Sequence, residues 1–232
     1  MLIALLFAAF FVVAEPTAPD AQAIARALEA RYHDARTLQA VFLERYSDGR
    51  QGIRVETGTV YFSRPGRMRW EYESPQEKLF LVDGKHVWFY VPADRTASRA
   101  DLKKSEDWRT PFALLTGKAR LSRLCGKLEI VSEGGAKSTL SREDRSTSPQ
   151  NVVLRCLPRG EDQYSAFREI LFEVDPGNRL ARVLIREPGN VETEFRFGNW
   201  RENVPVPESI FHFEPPAGVA IVDEARLAGA QP

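Results

Sequence analysis

This 232-residue chain has no net charge: 32 Lys and Arg stand against 32 Asp and Glu. A protein that neutralises nucleic-acid phosphates normally carries a basic excess, and a polybasic membrane tether needs a basic run, so neither nucleic acid nor an electrostatic membrane contact is expected. Histidine and cysteine are scarce. His33, His86 and His212 never stand three or four residues apart, which excludes a metal pair on one helix face. Cys125 and Cys156 form no CxxC and no metal-ligand spacing. A GxSxG elbow, a P-loop and a dinucleotide fingerprint are also absent, so the residues point to no catalytic group, cofactor or metal.

Apolar runs long enough to span a bilayer are missing too. Residues 2–14 read LIALLFAAFFVVA, about 20 Å of helix against a hydrocarbon core of about 30 Å. The run gives way to Glu15-Pro16, with Val12 and Ala14 as small residues before the break and no Lys or Arg ahead of it. Residues 1–14 are therefore expected to be a secretory signal, cleaved after Ala14 or as late as Ala18, leaving 15–232 as one exported domain. No cysteine stands near the cleavage region, so lipidation there is not expected. An exported chain meets an oxidising compartment. Strand-like segments at 127–132 and 151–157 flank a polar stretch at 133–150, and a symmetric hairpin would bring Cys125 beside Cys156 as a structural disulfide.

With 43% hydrophobic and 28% charged residues the chain has ordinary globular composition, and its 14 Phe, 6 Tyr and 4 Trp suggest a large apolar interior or a ligand cavity. Asp20 is placed to cap an amphipathic helix over 21–35, in which Ile24, Leu28 and Tyr32 recur every four residues. The period then changes to two. Strands are predicted at 38–46, 57–63, 67–73, 79–83 and 86–91, divided by Arg64-Pro65-Gly66, Ser74-Pro75 and Asp83-Gly84. Thr110-Pro111 opens a second, almost wholly apolar helix that ends near Gly117. Strands resume at 128–132, 151–157, 166–175, 180–187 and 192–200. This pattern predicts a mainly β protein whose antiparallel sheet curves, with helices that either pack on it as an ordinary helix-on-sheet core or plug or cover its concave side. Alternation within 67–73 puts Met68, Trp70 and Tyr72 on one face, and Val60 and Phe62 share a face of the preceding strand.

One stretch is specific. Gly58-Thr59-Val60-Tyr61-Phe62-Ser63-Arg64-Pro65-Gly66-Arg67-Met68-Arg69-Trp70-Glu71-Tyr72 is followed by Pro75, by residues 79–83, and by Gly84-Lys85 leading into Val87-Trp88-Phe89-Tyr90. Thr110-Pro111-Phe112 with Leu114-Leu115 comes next, and Phe213-Glu214-Pro215-Pro216-Ala217-Gly218-Val219 closes the series. In this order the segments resemble the periplasmic outer-membrane lipoprotein carrier family, over roughly residues 21–222. The resemblance implies an unclosed antiparallel β-barrel of about 11 strands with a helical lid over an apolar cavity. It implies a monomeric, non-enzymatic periplasmic chaperone that takes acylated lipoproteins from an inner-membrane lipoprotein-releasing transporter to an outer-membrane receptor.

The same resemblance implies site roles. Arg64 would latch the lid through hydrogen bonds to lid carbonyls. Val60, Phe62, Met68, Trp70, Tyr72, Trp88 and Tyr90 would line the acyl cavity, and Ile24, Leu28, Phe112, Leu114 and Leu115 would form the lid. Arg67 and Arg69 around Met68, and the polar stretch 133–150, depart from the family pattern. An envelope sensor of the same fold is the alternative, and an envelope enzyme the more distant one.

Overall fold

The computed structural model describes residues 20–50, 52–102, 114–115, 120–131, 148–159 and 167–223. The expected export signal, Phe112 with most of the predicted second helix, and most of the stretch 133–150 lie outside the described residues.

The chain begins with helix α1 (Ala21–Asp34), and Asp20 is its cap: the carboxylate accepts from the Gln22 and Ala23 amides at 3.0 and 3.2 Å. Strands β1 (Thr37–Ser47), β2 (Ile53–Ser63), β3 (Arg67–Ser74), β4 (Lys78–Val82), β5 (His86–Val91) and β6 (Thr96–Asp101) follow. A four-residue helix α2 (Leu121–Leu124) precedes β7 (Lys127–Val131), β8 (Val152–Leu157), β9 (Glu169–Val174), β10 (Leu180–Glu187), β11 (Val191–Glu202) and β12 (Ala220–Asp223). All belong to one unclosed sheet in the order β12-β6-β5-β4-β3-β2-β1-β11-β10-β9-β8-β7.

β1 holds the two halves together. It pairs with β2 along its whole length on one side and with β11 on the other. Ten of the twelve strands among the described residues coincide with strands expected from the sequence. β6 and β12 do not, because Thr96–Asp101 (TASRAD) is polar and Ala220–Asp223 is only four residues long and exposed. β12 also departs from the antiparallel expectation, since it runs parallel to β6.

Side-chain alternation gives the sheet two unlike faces. The inner face supplies one contiguous buried cluster that extends from Ala100 on β6 to Leu154 and Cys156 on β8. Such distant strands share a core because the sheet curves on itself. Trp70 sits near the middle, fully buried, with the rings of Phe42, Phe195 and Phe62 at 4.8, 5.4 and 6.1 Å. These edge-to-face contacts join strands from both halves. Gly58 makes this packing feasible: a Cβ there would lie 1.9 Å from the Glu71 carbonyl oxygen and 3.0 Å from the Phe42 ring.

The outer face of β8–β11 is instead an ion-pair lattice. Arg182 reaches Glu173 and Glu194 at 2.9 and 3.2 Å, Arg155 reaches Glu169 at 2.7 Å, and Arg186 reaches Glu192 at 2.8 Å. On β4 and β5 the outer face is apolar and is covered by the C-terminal segment, with Phe211 buried against Leu79, Leu81 and Trp88.

Cys125 and Cys156 are joined, tying the end of α2 to β8 across a sequence separation of 31. Closing a loop of that length restricts the unfolded chain by about 3 to 4 kcal/mol in the chain-entropy account. The double variant Cys125→Ala/Cys156→Ala should lose stability of that order in urea unfolding. A midpoint equal to that of the parent would mean the bond contributes nothing to the fold.

Candidate functional site

The inner face is covered from the N-terminal side by α1. Its apolar stripe, Ala25, Leu28 and Tyr32, is buried in the same cluster as Val60, Phe62, Met68 and Trp70, and Ile24 packs against that cluster. Leu114 and Leu115 join it at 2% exposure each, as does Leu121 of α2. The helix is pinned at several points. The Tyr32 hydroxyl accepts from the Leu180 amide at 2.8 Å, while Trp200 donates to the Leu180 carbonyl, also at 2.8 Å. Arg31 donates to Glu202 at 2.8 Å. Glu29 accepts from the Leu121 amide at 2.6 Å and so joins α1 to the start of α2, a link no sequence pattern announced.

Arg64 occupies the turn between β2 and β3, at the C-terminal end of α1. Its Nε donates to the Ala35 carbonyl at 2.6 Å, and its Nη2 donates to the Tyr32 carbonyl. The last carbonyls of a helix lack intrahelical partners, and a guanidinium offers five donors in a fixed fork, so one side chain can serve two of them. The Arg64 amide itself donates to the Arg36 carbonyl at 3.1 Å, which fixes the turn against the segment that follows the helix.

Not every residue named from the sequence reaches this face. Tyr72 does, with its ring 5.0 Å from that of Phe42. Trp88 and Tyr90 do not. The register pairs Val82 with Val87, Leu81 with Trp88 and Leu79 with Tyr90, so Val87 and Phe89 take the inner side and Trp88 and Tyr90 the outer. There Phe213 lies 5.4 Å from Trp88 and 5.2 Å from Tyr90, beneath the C-terminal segment, and the Trp88 indole donates to Asp83 at 3.2 Å. Their assignment to the cavity is corrected accordingly: the Asp83-Gly84 turn sets the phase, and ring size does not.

Toward the other end of the same face the apolar side chains stop. Glu44 and Glu56 stand directly opposite one another on β1 and β2, and Lys78 stands opposite Tyr72 on β4 and β3. Glu44 and Glu56 are 2% and 5% exposed. The Tyr72 hydroxyl donates to Glu44 at 2.7 Å, and the Lys78 ammonium bonds Glu56. Burial pushes the Glu44 carboxyl up to about 7; the Tyr72 hydrogen bond opposes this, the Glu56 charge adds to it, and Arg54 and Lys78 oppose it. Burial likewise holds the Tyr72 phenol well above its ordinary value. The sequence reading passed over Glu44, Glu56 and Lys78. The available signal was phase, since Glu44 continues the alternation of Leu38, Ala40 and Phe42, and Glu56 that of Val60 and Phe62.

The comparisons with known proteins agree with this architecture. The model of the LolA family, described as outer membrane lipoprotein carrier protein, matches residues 33–214. The chain belongs to that family. An outer-membrane lipoprotein carrier protein of Chromobacterium violaceum is 31% identical over 216 residues, 90% of this chain and 93% of the relative. One from Nitrosospira multiformis is 27% identical over 200 residues, 85% of this chain and 87% of the relative. A crystal structure of an uncharacterized conserved protein from Thermus thermophilus shares the fold, with a TM-score of 0.54 and 13% identity over 88% of this chain and 99% of that one.

A carboxyl whose value is raised on folding binds its proton more tightly in the native state. Its favourable contribution is complete below about 4.5 and is lost as pH rises through about 7. Between those values Glu44 should lower the stability by about 3 kcal/mol. Glu44→Gln keeps an acceptor for Tyr72 and should remove that slope. Parallel curves of unfolding free energy against pH for variant and parent would refute the assignment.

Proposed function

We propose that this protein is a periplasmic chaperone that shelters the acyl chains of lipoproteins against the inner face of its sheet and carries them from the inner membrane to the outer. On this reading residues 1–14 are a removed export signal, 15–232 form a single carrier domain, and the protein is a monomeric carrier, not an enzyme. An inner-membrane lipoprotein-releasing transporter is the donor and an outer-membrane receptor the acceptor.

The observation that carries the reading is a continuous apolar face on an unclosed sheet, covered by a helix whose terminal carbonyls Arg64 binds. Exposing a sixteen-carbon chain to water costs on the order of 12 kcal/mol, at about 0.8 kcal/mol per methylene. A ferry must therefore offer comparable apolar area. Left flat and open, that area would make the empty protein self-associate, which is why it lies on a concave face under a cover. Val60, Phe62, Met68, Trp70 and Tyr72 receive the chain in this scheme; Ile24, Leu28, Leu114 and Leu115 move aside for it. Met68 suits the task because a flexible thioether can follow chains of irregular shape.

Arg64 is the latch. Hydrogen bonds from a charged donor are worth about 1.5 to 3 kcal/mol each. Two of them hold the helix end down yet stay well below what an entering chain gains by leaving water. Opening is thus driven by cargo and reversed on its departure.

Protein isolated from the envelope should carry acylated lipoprotein in stoichiometric amount, detected by mass spectrometry. Water-soluble metabolites in its place would refute the carrier reading. Met68→Glu puts a charge among the acyl chains and should abolish the bound lipoprotein without unfolding the protein. Arg64→Leu should keep the fold but fail to pass cargo to an acceptor. Transfer by that variant at the parent's rate would show that Arg64 is no latch.

A further inference from the structure

The polar end of the inner face is not explained by packing. A buried ammonium–carboxylate pair gains little over apolar side chains of similar volume, because desolvation consumes most of the Coulombic attraction. Yet Glu44, Glu56, Tyr72 and Lys78 all point onto the face that elsewhere holds Phe42, Val60 and Trp70. Their arrangement is graded. Val60 is fully buried, Glu56 is 5% exposed, and the Arg54 side chain, next in phase on β2, is 56% exposed and lies over the Tyr46 ring at 4.8 Å. Followed along β1 and β2, the face thus passes from dry and apolar, through buried polar groups, to solvent. That is the polarity profile of a lipid, tail first.

Resting on the carrier reading above, we propose that Lys78, Glu56, Glu44 and Tyr72 form a head-group subsite that takes the uncharged ester and amide carbonyls of an acylated cargo. A chain laid along the strands past Trp70, which is level with Ala40, reaches Glu44 four residues farther along β1, about 13 Å away. Carbonyl oxygens only accept, and the subsite has donors to offer. Lys78 carries three protons and spends one on Glu56, with its ammonium 4.9 Å from the centre of the Tyr72 ring. Burial pushes the Glu44 carboxyl up to about 7, so near neutral pH part of it holds a proton and can donate as well. Glu56, meanwhile, already neutralises the Lys78 ammonium, which leaves little charge to hold an anionic head such as a fatty-acid carboxylate.

Dioctanoylglycerol and its dioctyl ether differ only in the ester carbonyls, and tryptophan fluorescence can follow the binding of either to the delipidated full chain. The parent should bind the ester about tenfold more tightly than the ether, as expected for one charge-assisted hydrogen bond. Lys78→Met/Glu56→Gln should erase that preference and leave the ether affinity unchanged. Equal affinity of the parent for both lipids, a preference retained by the variant, or octanoate bound as tightly as the ester each overturns the subsite alone. Failure of the parent to bind either lipid overturns the acyl-carrier reading and the subsite with it.

Discussion

The inner face of the sheet is apolar across strands from both halves of the chain, and an unclosed sheet cannot bury such a face by itself. A closed barrel hides its interior by construction, but here the edges β12 and β7 do not meet, so cover has to come from elsewhere. Helix α1 provides it, with Leu114, Leu115 and Leu121. The remaining features answer to this need. Gly58 lets β3 and Phe42 approach closely enough to curve and pack the face, Glu29 joins α1 to α2, and the Cys125–Cys156 bond anchors α2 to the sheet. Arg64 binds the end of the helix through the two carbonyls that helix geometry leaves over.

The outer face solves a different problem. Over β8–β11 it is tiled with alternating Arg and Glu, some nearly as buried as the core, such as Glu173 at 4% and Arg182 at 8% exposure. Lattices of this kind add little net stability. Their effect is on register and solubility: a strand slipped by one residue would turn its charges onto the apolar face. Over β4 and β5 the outer face is apolar and accepts the C-terminal segment instead. Arg69 donates to the Ile210 carbonyl at 2.8 Å, and the Arg67 guanidinium lies 5.2 Å from the Phe211 ring. The two arginines that flank Met68 thus have a structural use: they hold the segment that closes the outside while Met68 points in.

Much of this was legible because strong local signals coincide with the tertiary arrangement. Asp20 before an i, i+4 apolar series, Pro and Gly at the β2–β3 turn, and strict alternation through Met68, Trp70 and Tyr72 each specify both an element and the side it buries. Legibility failed where the information is non-local. The side of β5 that faces inward depends on how many residues the Asp83-Gly84 turn consumes, and without that count the largest rings, Trp88 and Tyr90, drew the assignment. β12 exists only as a partner for β6, and neither is apolar enough to declare itself. Glu44 and Glu56 were hidden for another reason. A carboxylate in a strand reads as solvent-facing, and its phase with Phe42 or Val60 gains meaning only once that face is known to be the interior.

A carrier has to satisfy two opposed demands, and the energies on this face show how both are met. Shielding a long acyl chain is worth on the order of 12 kcal/mol, equivalent to nanomolar binding for one chain alone, and a pocket that captured all of it would release cargo slowly. Work done in opening is subtracted from that gain. On the proposed latch reading, with α1, Leu114 and Leu115 packed into the empty face, entry of a chain displaces apolar contacts and breaks the Arg64 bonds, so the net affinity is the difference between two similar burials. The empty protein is thereby kept from aggregating by the same contacts that weaken its hold on cargo. In the proposed latch an arginine is better suited to this balance than more leucine on α1 would be, because its bonds are directional: they would favour one closed position of the helix and be lost at once if the helix lifted.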